Sequence, residues 1–189
     1  MLNIVLIESD LKSTLLEDGL QHCGFKCLKI QHNASFLEQL KSTVADVVIF
    51  NLDSPSEKIL ADLQQLNQHL PLPVVMFTSD GHVDTINQAI NAGVSAYIVD
   101  GLDPARLTSI VHVAIARFKQ QQALKNALEE ARVQLEDRKQ IDRAKAILIK
   151  TRNFTENEAY HTLRKLAMDR NITLGEMAKN VIAMADLLK

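Results

Sequence analysis

At 189 residues the chain exceeds an average single domain but is short for two large ones, which predicts one full domain plus a small appended module. Apolar residues make up 47% and aromatics 4% with no Trp, so aliphatic side chains must do the packing and aromatic platforms for stacked bases are scarce. The net charge of -2 hides a split: residues 1–137 hold ten Lys or Arg against seventeen Asp or Glu (-7), whereas 138–189 hold eleven against six (+5). A basic end suits a polyanion, because phosphate contacts supply most non-specific affinity for nucleic acid; the competing account is a merely solvated helical surface.

The start MLNIVLIESD meets acids at Glu8 and Asp10, too soon for a signal peptide, and no run reaches the roughly 18 apolar residues of a membrane span. A cytoplasmic protein without membrane contact is expected. Cys23 and Cys27 lack the further Cys or His pair of a zinc set and read as two buried reduced thiols; no cofactor is expected.

Five β-rich runs recur in the acidic part: Leu2 to Ile7, Phe25 to Ile30, Val47 to Phe50, Val74 to Phe77 and Ala96 to Val99. Between them lie helical spacings at Leu11, Leu15, Leu16 and Leu20, at Ile59, Leu60, Leu63 and Leu66, and at Val83, Ile86, Ala89 and Ile90. Such alternation predicts an α/β fold with a five-stranded, doubly wound parallel sheet. Chemistry in that fold sits beyond the carboxyl ends of the strands, which selects Glu8, Ser9 and Asp10, then Asn51 and Asp53, then Thr78 and Ser79, then Asp100.

With Pro55 after the third strand, Thr78 after the fourth and the phrase NAGVSAYIVDGL, residues 2–118 resemble the receiver domain of bacterial response regulators. That resemblance implies an aspartate nucleophile after the third strand, acidic Mg²⁺ ligands after the first and a Lys after the fifth. Here Asn51 stands at the nucleophile's place, Ser9 replaces one acid and Asp100 replaces the Lys. An amide cannot form an acyl phosphate, so Glu8, Ser9, Asn51, Asp53, Thr78 and Asp100 are read as a degenerate phosphoacceptor site, with no catalytic residue, no metal and no enzyme activity. Asp53 is open to two accounts, a rescuing acceptor or a turn-capping residue before Ser54 and Pro55. Control then falls to a binding partner, and the resemblance points to the surface around Asp100, Gly101, Leu102 and Pro104.

From Ala105 to Lys150 no Gly or Pro interrupts the chain, which predicts one long helix opening at Pro104. A seam at Ile110, Ala114, Arg117, Gln121, Leu124, Leu128, Ala131, Leu135 and Arg138 alternates steps of four and three, the spacing of a coiled coil and of a homodimer; a lone helix folded back on its own domain is the alternative. In the basic tail, Thr155 with Glu158 and Thr173 with Glu176 are capping boxes that divide it into three helices. The first puts Ile141, Ala144, Ile147 and Leu148 on its apolar face, the second Ala159, Leu163, Leu166 and Ala167, and the third Leu174, Met177, Ala178, Val181 and Ile182.

The phrases IDRAKAILI, NEAYHTLRKLAM and MAKNVI resemble the ANTAR domain, an RNA-binding module of transcription antiterminators. Ala146 stands where that family usually has Gly, a small residue that would keep a close helix approach. The expected organisation is a receiver-like domain over 1–118, a coiled-coil connector over 119–137 and an ANTAR module over 138–189. With NLDSPS and YIVDGL, the chain is similar to the NasT type of nitrate-responsive regulator. That resemblance implies a two-hairpin leader mRNA as target and a NasS-like nitrate/nitrite sensor protein as the controlling partner. The candidate RNA contacts are Arg138, Lys145, Arg152, Arg164 and Lys165 to phosphates, with Lys145 foremost, and Tyr160 as a base stack or a plain core residue. The alternative function is a DNA-binding transcription factor, for which Asp169 to Ile172 is a short enough turn.

Overall fold

The computed structural model describes residues 1–8, 15–33, 36–100 and 103–187. The chain divides into two compact units, Met1–Gln122 and Ala123–Lys189. In the first, β1 (Asn3–Glu8), β2 (Lys26–Ile30), β3 (Val47–Asn51), β4 (Val74–Thr78) and β5 (Ala96–Val99) form one parallel sheet in the order β2-β1-β3-β4-β5. Helices α1 (Leu15–His22), α2 (Phe36–Ser42), α3 (Glu57–His69) and α4 (Val83–Ala92) connect them, and α5 (Pro104–Arg152) follows. This is the expected doubly wound receiver-like architecture followed by a long helix.

The strands are apolar on both faces because both are covered. Val5 and Ile7 of β1 join Phe50 and Met76 in a core shared with Phe36, Leu40 and Leu63 from α2 and α3. Their neighbours Ile4 and Leu6 point the other way, into a core built with Leu16 and Leu20 of α1 and Leu107, Val111 and Ala114 of α5. Strands β1, β3 and β4 run one residue further than their apolar runs, so Glu8, Asn51 and Thr78 are the last rungs of the ladder rather than loop residues. At the end of α4, Gly93 takes φ 109, and its N–H reaches the carbonyls of Ala89 and Ile90; an L side chain there would be strained and would meet Asn67.

Several periodicity-based expectations fail at single residues. Leu15, Val83 and Ile90 are exposed, and α4 buries Ala89 and Ala92, since contact with the sheet needs only a narrow stripe of a short helix. Ile110 and Ala114 belong to the core of the first unit rather than to an intermolecular seam. Cys23 and Cys27 are half-buried rather than buried. Burial, with Glu17 and Glu8 nearby, pushes the Cys27 thiol up to about 11, which disfavours the reactive thiolate. Among the described residues no helix is long and apolar enough to cross a membrane.

In the second unit the last turns of α5 pack with α6 (Glu156–Asp169) and α7 (Leu174–Leu187). Their core holds Ala144, Leu163, Ala167, Met177, Ala178 and Ile182, edged by Ile141, Ile147 and Leu148. Half of those six are alanines, so burial alone gives this unit little apolar area and its helix ends carry weight. Leu166 is not core; it is 36% exposed. Ala146 is exposed as well, so no packing demand explains its small size; the close approach is at Gly175, where a Cβ would meet the Asp137 carboxylate at 2.5 Å.

Both capping boxes form. Thr155 donates its N–H and hydroxyl to Glu158 Oε2, each at 2.8 Å, and its Oγ1 accepts the Glu158 N–H at 3.3 Å. Thr173 and Glu176 repeat the arrangement. The Thr backbone N–H, then its hydroxyl, hold both carboxyls below the ordinary glutamate value of 4.5. A depressed carboxyl stabilises the fold fully above its unfolded value and loses that contribution as pH falls. Thr155→Ala or Thr173→Ala should therefore lower the stability of this unit by about 1 kcal/mol at neutral pH. Helicity followed by circular dichroism between pH 6 and 3 should decline less steeply in the double variant than in wild type; equal slopes would show that the boxes do not govern acid sensitivity.

Candidate functional site

Glu8 and Asn51 pair in register at the ends of β1 and β3, where the sheet order reverses and doubly wound folds place their ligands. Glu8 is 4% exposed, and a carboxylate so buried requires a counter-charge. It has one: Lys29 Nζ of β2 lies 2.6 Å from Glu8 Oε2. Asn51 Nδ2 donates to the other oxygen, Oε1, at 2.8 Å. The carboxylate is thus matched on both sides from its own sheet.

The described remainder of the acidic site makes hydrogen bonds of its own. Thr78, 6% exposed, donates its hydroxyl to the Asp53 carbonyl at 2.7 Å, and Ser79 N–H reaches the same carbonyl at 3.2 Å. Asp53 lies past the strand end with its side chain exposed. Asp100 is also exposed; it adopts φ 38, a conformation Asp tolerates, and its N–H donates to the Thr78 carbonyl at 3.1 Å. Ser9, Asp10, Gly101 and Leu102 lie outside the described residues. The loops after β3 and β4 are joined by Ser54, whose hydroxyl donates to Asp80 Oδ2 at 2.7 Å; this bond, then the His82 N–H, holds the Asp80 carboxyl below its usual range.

Among the described residues, the strand ends offer a poor set of donors for the divalent cation of a working receiver. A hard cation needs anionic oxygens, whereas Glu8 is already neutralised by an ammonium and the nearest strand-end side chain, Asn51, turns its N–H donor toward the carboxylate. Among the described residues no group of three His, Cys, Asp or Glu could hold a metal. Lys29 is the functional residue that sequence reasoning missed, because a Lys on an edge strand ordinarily reads as edge protection. Its signal was the shared end of neighbouring strands: a buried acid on one demands a cation on another.

The basic face is built on two helices. Arg138, Lys145 and Arg152 recur every seven residues on α5, drifting only about 20° per step, and so form one stripe beside the apolar face. On α6, Glu156, Tyr160 and Arg164 are four apart and share a stripe, while Lys165 lies about 140° round the helix from Tyr160. Arg138, Arg152, Arg164 and Lys165 are exposed, and none of the last three forms an ion pair among the described residues. Tyr160 is 38% exposed, with its ring edge-on to His161, so it is not a core residue.

Lys145 departs from expectation. Its side chain is only 16% exposed, and Nζ lies 2.8 Å from Asp142 Oδ1 and 2.9 Å from Glu156 Oε1. The hydrogen bond to Asp142, then that to Glu156, raises the ammonium above its usual range. It is a clasp between α5 and α6 before it is a ligand for anything else. Lys145, Glu156, Asn157 and Tyr160 line one open depression of about 440 Å³. Two more ion pairs, Arg143 with Asp186 at 3.4 Å and Lys179 with Asp137 at 3.7 Å, tie α5 to α7.

The Glu8 arrangement makes a direct prediction. Lys29→Met should cost the first unit about 2 to 3 kcal/mol in chemical denaturation, because it leaves a buried carboxylate uncompensated, and adding Glu8→Gln should restore most of the loss. A neutral single variant would show that the ammonium is not what keeps Glu8 buried.

Residues 4–112 match the response regulator receiver domain and residues 129–182 the ANTAR domain. The chain is 27% identical over 177 residues to the transcriptional regulatory protein PdtaR of Mycobacterium tuberculosis, which covers 94% of this chain and 84% of that protein. It is 35% identical over 66 residues to the nitrate regulatory protein of Klebsiella oxytoca, 35% of this chain and 17% of that one. Among solved structures, a CheY-like receiver domain protein from Methanospirillum hungatei superposes with a TM-score of 0.53 at 18% identity, over 64% of this chain and 99% of that chain. A buried strand-end acid at the switch point of a five-stranded parallel sheet and a capped helical module later in the chain are thus accounted for together: the chain belongs to the response regulator receiver family and carries an ANTAR domain over residues 129–182.

Proposed function

We propose that this protein is an RNA-binding transcription antiterminator of nitrate and nitrite assimilation genes. It engages a two-hairpin leader mRNA as a homodimer and is controlled by a NasS-like sensor protein rather than by phosphorylation. The observation that carries this reading is an ANTAR domain whose exposed helical faces present Arg138, Arg152, Arg164 and Tyr160. Unpaired RNA loops offer phosphates and unstacked bases together, and cations beside one accessible ring suit that target. The likeness to PdtaR and to a nitrate regulatory protein supports transcriptional control and its nitrate branch. Control without phosphate is favoured by Asn51 at the acceptor's place and by the Lys29 ammonium already matched to Glu8.

A second reading, duplex DNA binding, is favoured only by the short connection between α6 and α7, residues 170–173. Gel shifts with the leader of the nitrate assimilation operon as RNA and as duplex DNA separate the two. The RNA should bind at least about tenfold more tightly, and preference for the duplex would overturn the proposal. Arg152→Ala and Arg164→Ala should each weaken RNA binding about threefold to tenfold and reduce the salt slope by about 1, the mark of a lost phosphate contact.

Dimerisation rests on the central seam, where Leu124, Leu128 and Leu135 are 71%, 60% and 61% exposed in the single chain. Leucines at that spacing are stabilised only by a partner helix. Leu128→Lys should give a monomer in sedimentation velocity. It should lose tight binding to the two-hairpin RNA while keeping the affinity of wild type for one isolated hairpin.

A further inference from the structure

We propose that Glu156 is a built-in competitor for RNA phosphate at Lys145, an intramolecular acid that keeps the central cation of the RNA face neutralised until a phosphate displaces it. The inference rests on the RNA-binding reading above and concerns how that same face is held when idle. Lys145 is 16% exposed, whereas its partners Asp142 and Glu156 are 57% and 77% exposed, so the carboxylates stand between the ammonium and solvent. The two carboxylates take two of the three Nζ donors, so an anion that is to pair closely with the ammonium competes with them.

The two acids are not equivalent. Asp142 sits three residues before Lys145 on the same helix, and the pair persists in any state that keeps that turn of α5. Glu156 reaches across from the first turn of α6, and a side-chain rotation carries it into water without disturbing either helix. In the first turn of α6 it also keeps a favourable position relative to the helix dipole after it lets go. A phosphodiester arriving in the depression lined by Lys145, Asn157 and Tyr160 would exchange one negative partner for another, leaving the charge at Nζ balanced. Because the exchange is near neutral in energy, phosphate alone gains little there. An RNA that also brings a base to Tyr160 gains more, and Glu156 thereby discriminates against polyanions that carry no bases.

The test uses the full chain, the two-hairpin leader RNA and inorganic polyphosphate as a polyanion without bases. Glu156→Gln, which keeps the side chain's size and a hydrogen-bond acceptor but removes its charge, should bind the leader RNA about threefold to tenfold more tightly and polyphosphate by a larger factor. Glu156→Ala should show the same direction. Asp169→Asn, an equal charge change at the far end of α6, should alter either affinity by less than about twofold. If wild type binds the leader RNA and both Glu156 variants bind it equally or more weakly, Glu156 is only a brace and the inference is overturned while the RNA reading stands. If wild type fails to bind the leader RNA, the RNA reading itself has failed. Reversing Lys145 to Glu would not serve, because it would set three carboxylates together and disturb the clasp as well as the cation.

Discussion

A carboxylate buried at the end of an inner strand must be matched by positive charge or be expelled. Glu8 is matched by Lys29, with the Asn51 amide completing its hydrogen bonding. In a working receiver a divalent cation and an aspartate would share this position. Here the sheet supplies a neutralising charge from within, since Lys29 of β2 stands beside the Glu8 carboxylate.

The consequence lies on the regulatory link. Asn51, an amide, cannot itself form an acyl phosphate, and its Nδ2 donates to Glu8. Other strand-end groups are committed to backbone: Thr78 to the Asp53 carbonyl, and the Asp100 N–H to Thr78. These bonds tie the loops after β3 and β5 to β4.

The ANTAR unit follows the same physical logic with weaker means. Its core is small and alanine-rich, so capping boxes at both helix starts and ion pairs at Lys145, Arg143 and Lys179 supplement burial. Exposed ion pairs contribute little to stability on their own. Their greater effect is to decide which cations are available to an incoming polyanion: Arg152, Arg164 and Lys165 stand unpaired among the described residues, while Lys145 is engaged. The +5 charge of the tail therefore overstates its accessible positive surface.

By itself the sequence determined the alternation of strands and helices, the doubly wound sheet, the uninterrupted run of α5 and both capping boxes. These follow from local rules of periodicity, Gly and Pro placement and spacing within a few residues. It also located Glu8, Asn51 and Thr78 at strand ends, since those positions are read from where apolar runs stop. Only the tertiary structure decided what such residues touch. Lys29 and Glu8 are far apart in the chain and meet because β2 pairs with β1; Lys145 and Glu156 meet because α6 folds back on α5. Spacing identifies which cations share a helix face, but whether a charge is open to a ligand depends on acids brought from other elements, and no local pattern records that.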